Sequence, residues 1–438
     1  MKVRGIALSL LNEWEADGKY INLTLSSHRT DNLLPGERAF LTALLYGCAE
    51  RRITLDHFIG TLASRSAESL DINTRSLLRM GLYQIYYMKD IPDHAAVNET
   101  VSLSRNAGER GFVNAVLRAA CRIGAEELLP SRAKSAVRYL SVAYSVSQYI
   151  VRTLVSEFGE ERCESILRTL SREAPLCLSV NILKESRDEY MRELSDAGID
   201  FEPTESSPIG VRIFSHIPVR DLPGYGDGRF YVQDEASFLS VLALSPTEGE
   251  RVADVCSAPG GKSFAAAMLM NGKGEIRAFD LHSSKLPLIR SGADRLGVGI
   301  ISAEERDSRF AAPELIGTFD AVICDVPCSG LGVMAKKPEI RYKTAEDVSG
   351  LPELQYSILE ASAEYLRPGG RLVYSTCTLP RRENREVVER FLAQHPGFEA
   401  EDFRVGRFAS EDGSLLLLPD ESGTDGFFIS RIRKRHDQ

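Results

Sequence analysis

The sequence predicts a multidomain chain with an all-α N-terminal part, a small α+β middle part and a C-terminal α/β part. Three observations predict it. Up to about residue 125 of the 438, apolar residues recur three and four apart, and no convincing alternating strand appears. From about 126 to 245, helical stretches mix with short β-like runs. From about 246, strands and helices alternate, the pattern that builds a parallel sheet covered by helices on both faces. The expected divisions are therefore 1–125, 126–245 and 246–438.

In the first part, "ERAFLTALLYGCAERRI" and "NTRSLLRMGLYQIYYM" show the helical spacing most clearly. In the second, "SQYIVRTLVSEFG" and "CESILRTLSRE" read as helices, and "LCLSVNIL", "GVRIF" and "GRFYVQD" as short strands. The third begins with "RVADVCS" as a buried strand, a glycine loop and the helix "KSFAAAMLM". The strand "GEIRAFD" and the helix "SKLPLIRSGADRLG" follow, then the strands "GIISAEERD" and "FDAVICDVP". One crossover helix, "LPELQYSILEASAEYL", leads to the strand "RLVYSTCT" and the helix "NREVVERFLAQ". "DGFFISRIR" reads as a last strand, antiparallel at the sheet edge. This last part is expected to be Rossmann-like.

Composition narrows the function classes. A 43% hydrophobic content suits packed cores, and 26% charge argues against a disordered chain. No apolar run approaches the roughly 18 residues that cross a bilayer. The opening "MKVRGIALSLLNEWEADG" reads as an amphipathic helix rather than a signal peptide, so a cytoplasmic protein with no membrane partner is expected. None of the eight cysteines pairs at CxxC spacing and the seven histidines do not cluster with them, so no metal is expected. A net charge of −9 disfavours a generally basic nucleic-acid binder, but a local basic stripe can serve. Lys336 to Lys343 ("KKPEIRYK") is the candidate for contact with an RNA backbone, whereas Arg431 to His436 ("RIRKRH") reads as a frayed tail.

The loop "DVCSAPGGKS" (Asp254 to Ser263) ends like a triphosphate-binding loop, yet Cys256 stands where such a loop needs its first glycine. Gly260 and Gly261 allow a ligand to approach the backbone closely. Twenty positions after Gly260 (280 − 260), Asp280 ends the second strand, where an acidic residue binds a ribose diol. Asp307 and Asp325 end the next two strands. A row of carboxylates suits a cationic ligand better than a pyrophosphate, which points to S-adenosylmethionine as the cofactor.

Cys328 in "DVPCSG" and Cys377 in "YSTCT" lie 49 residues apart (377 − 328) at the ends of strands expected to be neighbours, about 4.8 Å from each other in a sheet. Methylation of nitrogen or oxygen uses a lone pair and needs no thiol. Carbon 5 of a pyrimidine has none, and a thiolate adding at carbon 6 makes carbon 5 nucleophilic. One cysteine can be that nucleophile and the other can assist release. Asp325 is placed to hydrogen-bond ring nitrogen 3.

"CSAPGGKS", "DVPCSGLGV" and "YSTCT…ENREVV" resemble the signature segments of the RNA 5-methylcytosine methyltransferases. The resemblance implies Cys377 as nucleophile, Cys328 as the aid to release, and S-adenosylmethionine contacts from Cys256, Ser257, Ala258, Pro259, Gly260, Gly261, Lys262, Asp280, Asp307 and Asp325. "DVP" departs from the usual DAP or DPP, and "ENRE" from ENE. Residues 1–125, with "GLYQIYYMKDIPDHAAVNETVSLS" and "GFVNAVLRAACR", look like the helical RNA-binding domain of the NusB type. Together they resemble the NusB-domain-containing enzymes that methylate cytosine in bacterial 16S ribosomal RNA, which is thus the expected partner. Two other readings fit the chain: a 5-methylcytosine methyltransferase acting on tRNA or another rRNA site, and a catalytically inactive NusB-like regulator. Retention of both cysteines, Asp325 and the glycine loop speaks against the latter.

Overall fold

The computed structural model describes residues 2–18, 21–26 and 33–436. The chain forms two compact units: one comprises residues 1–171 and 336–344, the other 172–335 and 345–438. This partition is by contact, and it differs from the division by texture at 126 and 246.

The first unit is helical, and its described residues contain no strand. Its helices are α1 (Lys2–Asp17), α2 (Ile21–Ser26), α3 (Pro35–Glu50), α4 (Arg52–Ala63), α5 (Ile72–Tyr87), α6 (Asp93–Val101) and α7 (Ala107–Ala120), followed by α8 (Ala136–Tyr144), α9 (Gln148–Phe158) and α10 (Glu160–Leu170). Short polar side chains start several of them. Asp71 accepts from Thr74 N ahead of α5, and Asn106 accepts from Glu109 N ahead of α7. The apolar stripes meet in a core of Trp14, Leu41, Phe58, Leu77, Leu78 and Leu117. Complete burial of one such leucine or phenylalanine contributes about 1.5–3 kcal/mol.

Residues 336–344 belong to this unit although the sequence on both sides belongs to the other. The Arg341 guanidinium donates to Leu170 O at 2.7 Å, and Ser147 N donates to Arg341 O at 2.7 Å. The Tyr342 hydroxyl donates to Ala49 O and accepts from Arg52 N, while the Arg52 guanidinium lies 3.9 Å from the Tyr342 ring centre. The basic stripe expected along Lys336 to Lys343 is therefore only partly a stripe: Lys336 and Lys337 are exposed, but Arg341 is buried and turned inward.

The described residues of the second unit hold two larger sheets and a two-stranded ribbon. The smaller of the two sheets is antiparallel, in the order β2–β3–β1–β4, from β1 (Leu176–Val180), β2 (Phe201–Pro203), β3 (Gly210–Ile213) and β4 (Phe230–Val232). Helix α11 (Arg187–Asp196) lies between β1 and β2 in the chain, and α12 (Glu235–Leu244) leads to the larger sheet. That sheet contains β5 (Arg251–Asp254), β6 (Glu275–Asp280), β7 (Ile301–Glu305), β8 (Phe319–Asp325), β9 (Leu366–Thr376), β10 (Phe398–Ala400), β13 (Ser414–Leu417) and β14 (Phe427–Lys434); β11 (Arg404–Val405) and β12 (Phe408–Ala409) form a separate ribbon. Its order is β10–β14–β9–β8–β5–β6–β7, with β13 paired to β14. β5 to β9 run parallel, and β14 runs antiparallel to β9.

Helices α13 (Gly261–Leu269), α14 (Leu286–Leu296), α15 (Leu351–Glu364) and α16 (Arg385–Gln394) complete the α/β alternation. Three expectations need correction. The last strand is antiparallel but not at the edge, because β10 and β13 pair with its far side. "RIRKRH" is no frayed tail: it continues β14, with Arg431 and Arg433 on Glu401 and Arg435 on Glu399. The connection from β8 to β9 contains α15, three short 3₁₀ turns and the segment 336–344, not a single helix.

Candidate active site

Parallel strands bring their carboxyl ends to one edge, and the chain reverses its direction of strand addition between β5 and β8, where ligands of such sheets bind. The loop after β5 lies there. Ser257 N and Oγ both donate to Phe279 O, at 2.8 and 2.9 Å, so this loop is fastened to β6. Gly260 has φ +113°, and a Cβ there would stand 2.5 Å from the Phe264 ring. Only glycine fits. Gly261 begins α13 with room for a side chain, so it carries less of the constraint than the sequence suggests.

Asp280 is the last residue of β6; its carboxylate accepts from Ala258 N at 3.3 Å and His282 N at 3.0 Å. Asp307 lies two residues beyond β7, and Arg309 clasps both its oxygens, holding its carboxyl below the usual range. Asp325 ends β8. Its Oδ2 accepts from Lys262 Nζ and its Oδ1 from Ser375 Oγ, both at 2.7 Å. Lys262 thus reaches Asp325 rather than staying with its own loop, and Ser237 Oγ holds it at 2.9 Å. Asp254 ends β5, fully buried with Ser263 on its Oδ2 at 2.6 Å, and burial pushes its carboxyl up to about 7. Burial also pushes the Cys256 thiol well above its ordinary value, which suits a packing residue rather than a nucleophile.

The register of β8 on β9 sets Asp325 opposite Ser375, so the two following loops leave the sheet side by side. Cys328 is three residues past Asp325 and Cys377 two past Ser375. Their sulfurs stand 3.3 Å apart, and both residues are partly exposed. The hydrogen bond with Cys377, followed by burial, raises the Cys328 thiol well above its ordinary value, so the two sulfurs share a proton that either can donate. Gly332 closes the first loop: its N donates to Cys377 O at 3.0 Å, and a Cβ on it would meet Gly426 O at 1.9 Å.

The sequence reading missed the layer beneath the sulfurs. Ser329 Oγ and Thr378 Oγ1, each the residue after a cysteine, are hydrogen-bonded at 2.6 Å. Gln355, Glu383 and Asn384 lie buried against the same loops. The available signal was Gln355, a lone amide on the apolar face of a helix, and the "EN" pair, noted only as a departure from a family pattern.

The donor set fits S-adenosylmethionine. Asp280 presents a carboxylate at a strand end, where such a group can bind a diol, and Gly260 leaves the loop backbone open to close approach. Carboxylates at successive strand ends suit an ammonium and a sulfonium, although Lys262, Arg309 and Lys285 already offset three of them, Asp325, Asp307 and Asp280.

The sequence model of the family described as 16S rRNA methyltransferase RsmB/F matches residues 241–433, that of the NusB family residues 1–122, and that of an RsmF/B-like ferredoxin-like domain residues 146–220. A Bacillus subtilis protein named "Probable ribosomal RNA small subunit methyltransferase B" is 37% identical, covering 99% of each chain. The Pseudomonas putida ribosomal RNA small subunit methyltransferase B is 34% identical over 91% of each. Among solved structures, a methyltransferase homologue from Pyrococcus horikoshii is 29% identical with a TM-score of 0.59, covering 68% of this chain and 99% of that one. The structure named PH0851 shares the fold across 99% of both chains at 24% identity, with a TM-score of 0.81.

Proposed function

The chain belongs to the 16S rRNA methyltransferase RsmB/F family, and from that premise we propose that it methylates carbon 5 of a specific cytosine in 16S rRNA through a covalent cysteine–cytosine intermediate. It is an S-adenosylmethionine-dependent rRNA methyltransferase with a multidomain fold: a NusB domain, a ferredoxin-like domain and a C-terminal methyltransferase domain. The single observation that carries the finer reading is the pair of sulfurs 3.3 Å apart at neighbouring strand ends. Transfer to nitrogen or oxygen has no use for them.

In the proposed reaction the cytosine leaves its stack, since carbon 6 is otherwise hidden. Cys377 Sγ adds to carbon 6, forming an S–C bond and moving the ring electrons toward carbon 5. Either sulfur of the pair can carry the shared proton, and the reading takes Cys377 as the attacking thiolate. Asp325 and Lys262, hydrogen-bonded at 2.7 Å, engage the nitrogen 3 edge together. Nitrogen 3 and a carboxylate are both acceptors, so the proton between them is supplied by the Lys262 ammonium as negative charge develops on the ring. S-adenosylmethionine, when bound along Cys256–Lys262, Asp280 and Asp307, supplies the methyl group. Once the carbon 5 proton has gone to a base, the S–C bond breaks, Cys377 departs as thiolate, and Cys328 assists that release.

An enzyme of ribosomal RNA works in the cytoplasm, which we take as its location. The test is bisulfite mapping of 16S rRNA from cells with and without the protein. One cytosine should lose its 5-methyl mark when the gene is deleted. An unchanged map would remove the 16S assignment.

A further inference from the structure

We propose that Glu383 and Asn384, adjacent in the chain, are positioning residues, one for each sulfur: Glu383 sets Cys328 for release and Asn384 sets Cys377 for attack. This inference rests on the cytosine-5 reading above. Glu383 Oε2 accepts from Ser329 N, the residue after Cys328, at 2.8 Å. It also accepts from Gln355 Nε2 at 3.0 Å, and the same Nε2 donates to Pro327 O, the residue before Cys328, at 3.0 Å. The backbone on both sides of Cys328 is therefore held through one carboxylate and one amide. Asn384 does the same for the other thiol. Its Oδ1 accepts from Thr376 Oγ1 at 2.5 Å and its Nδ2 donates to Thr378 O at 3.0 Å, the residues before and after Cys377.

Three further facts favour positioning over ordinary helix chemistry. Asn384 stands at the N-cap of α16, where asparagine normally caps, yet its side chain makes no capping bond and turns to the Cys377 loop instead. The Tyr374 hydroxyl donates to Glu383 O at 2.6 Å, fixing the clamp to the strand that carries Cys377. The Ser329–Thr378 hydroxyl pair ties the two bracketed loops to each other. Glu383, Asn384 and Gln355 are at most 2% exposed, so they act through the sulfurs and touch no substrate. The demand is geometric. Two thiols must reach one ring in turn, and a displacement of about 1 Å in a reacting atom costs on the order of 100-fold. A buried carboxylate accepting two N–H groups is a stiff anchor, because leaving either donor unpaired is expensive.

The test uses the full chain, S-adenosylmethionine and two 16S rRNA transcripts, one with ordinary cytosine and one with 5-fluorocytosine. The fluorine cannot leave as a cation, so the fluorinated transcript holds the methylated adduct and its rate of appearance on a denaturing gel reports capture. Clearance of adduct on the ordinary transcript reports release. Asn384→Ala is expected to slow capture about 30-fold and leave no standing adduct on ordinary RNA. Glu383→Ala is expected to capture within about 3-fold of the native rate and to release at least about 10-fold more slowly, leaving a visible adduct.

Should either alanine variant fail to fold, Asn384→Asp and Glu383→Gln carry the same contrast. The first replaces the donor to Thr378 O with an oxygen and slows capture; the second removes the charge that holds Ser329 N and slows release. Equal slowing of both steps in both variants, or the reversed pattern, overturns the proposal. Failure of the native protein to capture fluorinated RNA removes the cytosine-5 reading itself, an outcome distinct from any pattern among the variants.

Discussion

The two halves of the large sheet hold their functional groups in different ways. On the β5–β7 side each carboxylate has its own local partners: Asp280 the backbone of Ala258 and His282, Asp307 the guanidinium of Arg309 two residues on. On the β8–β9 side no group stands alone. Asp325 is shared between Lys262 from α13 and Ser375 from β9, and the two thiols share a hydrogen bond above one buried clamp. The first half is a set of separate groups, which the proposed function makes contacts for the methyl donor. The second is a network, so perturbations there should couple, whereas those on the carboxylate side should add.

The comparison is most exposed to breaking at the nucleophile. Cys377→Ala should lower methyl transfer at least about 10⁴-fold and abolish RNA capture, read by tritium transfer from labelled donor to unmodified 16S rRNA. Cys328→Ala should lower turnover on the order of 10²-fold while capture persists as a gel-shifted adduct. Loss of that adduct in Cys328→Ala, with its retention in Cys377→Ala, would reverse the two roles. Next in size, Asp325→Asn and Lys262→Met should each cost about 10²-fold in kcat, and the double variant little more than either, as coupled residues do. A multiplicative loss would show that the two act separately.

On the other half, Asp280→Asn should raise the KM for the donor about 10-fold with kcat nearly unchanged, and combining it with Asp307→Asn should multiply the two effects. The smallest effect is on stability. Burial raises the Asp254 carboxyl to about 7 in the folded chain from a usual 3.8, so the folded state binds the extra proton. Stability from this group is complete below about 4 and is lost as pH rises toward 7. Asp254→Asn should flatten that decline in thermal melts recorded between those limits; an unchanged slope would count against it.

Much of this site was legible because strand ends are local features. "RVADVCS", "GEIRAFD" and "FDAVICDVP" each end on or beside the carboxylate they present, and the spacing of Cys328 and Cys377 required only that their strands be neighbours. Sheet order is not local. The place of β14 inside the sheet depends on β10 and β13 beyond it, although the nearly continuous burial of "FFISRI" is the mark of an interior strand. Lys262 looked like a ligand-loop residue because its partner Asp325 lies 63 residues away. In "PRRENRE" the arginines suggest a wet helix start, and only the packing of β9 and α15 around it reveals Glu383 as buried. The basic run at 336–343 is only partly legible for the same reason, since Arg341 and Tyr342 answer to groups 171 and 293 residues earlier while Lys336 and Lys337 stay exposed.

That borrowed segment bears on how the protein is made. A ribosome delivers the N-terminal end first, and domains generally fold as they emerge. Here the helical unit cannot be finished when its own 171 residues are out, because Leu170 O, Ala49 O and Ser147 N wait for partners at Arg341 and Tyr342. Synthesis must run through the glycine loop and Cys328 before the N-terminal unit receives its last piece, so a fragment cut at residue 171 is an unfinished object rather than an autonomous domain.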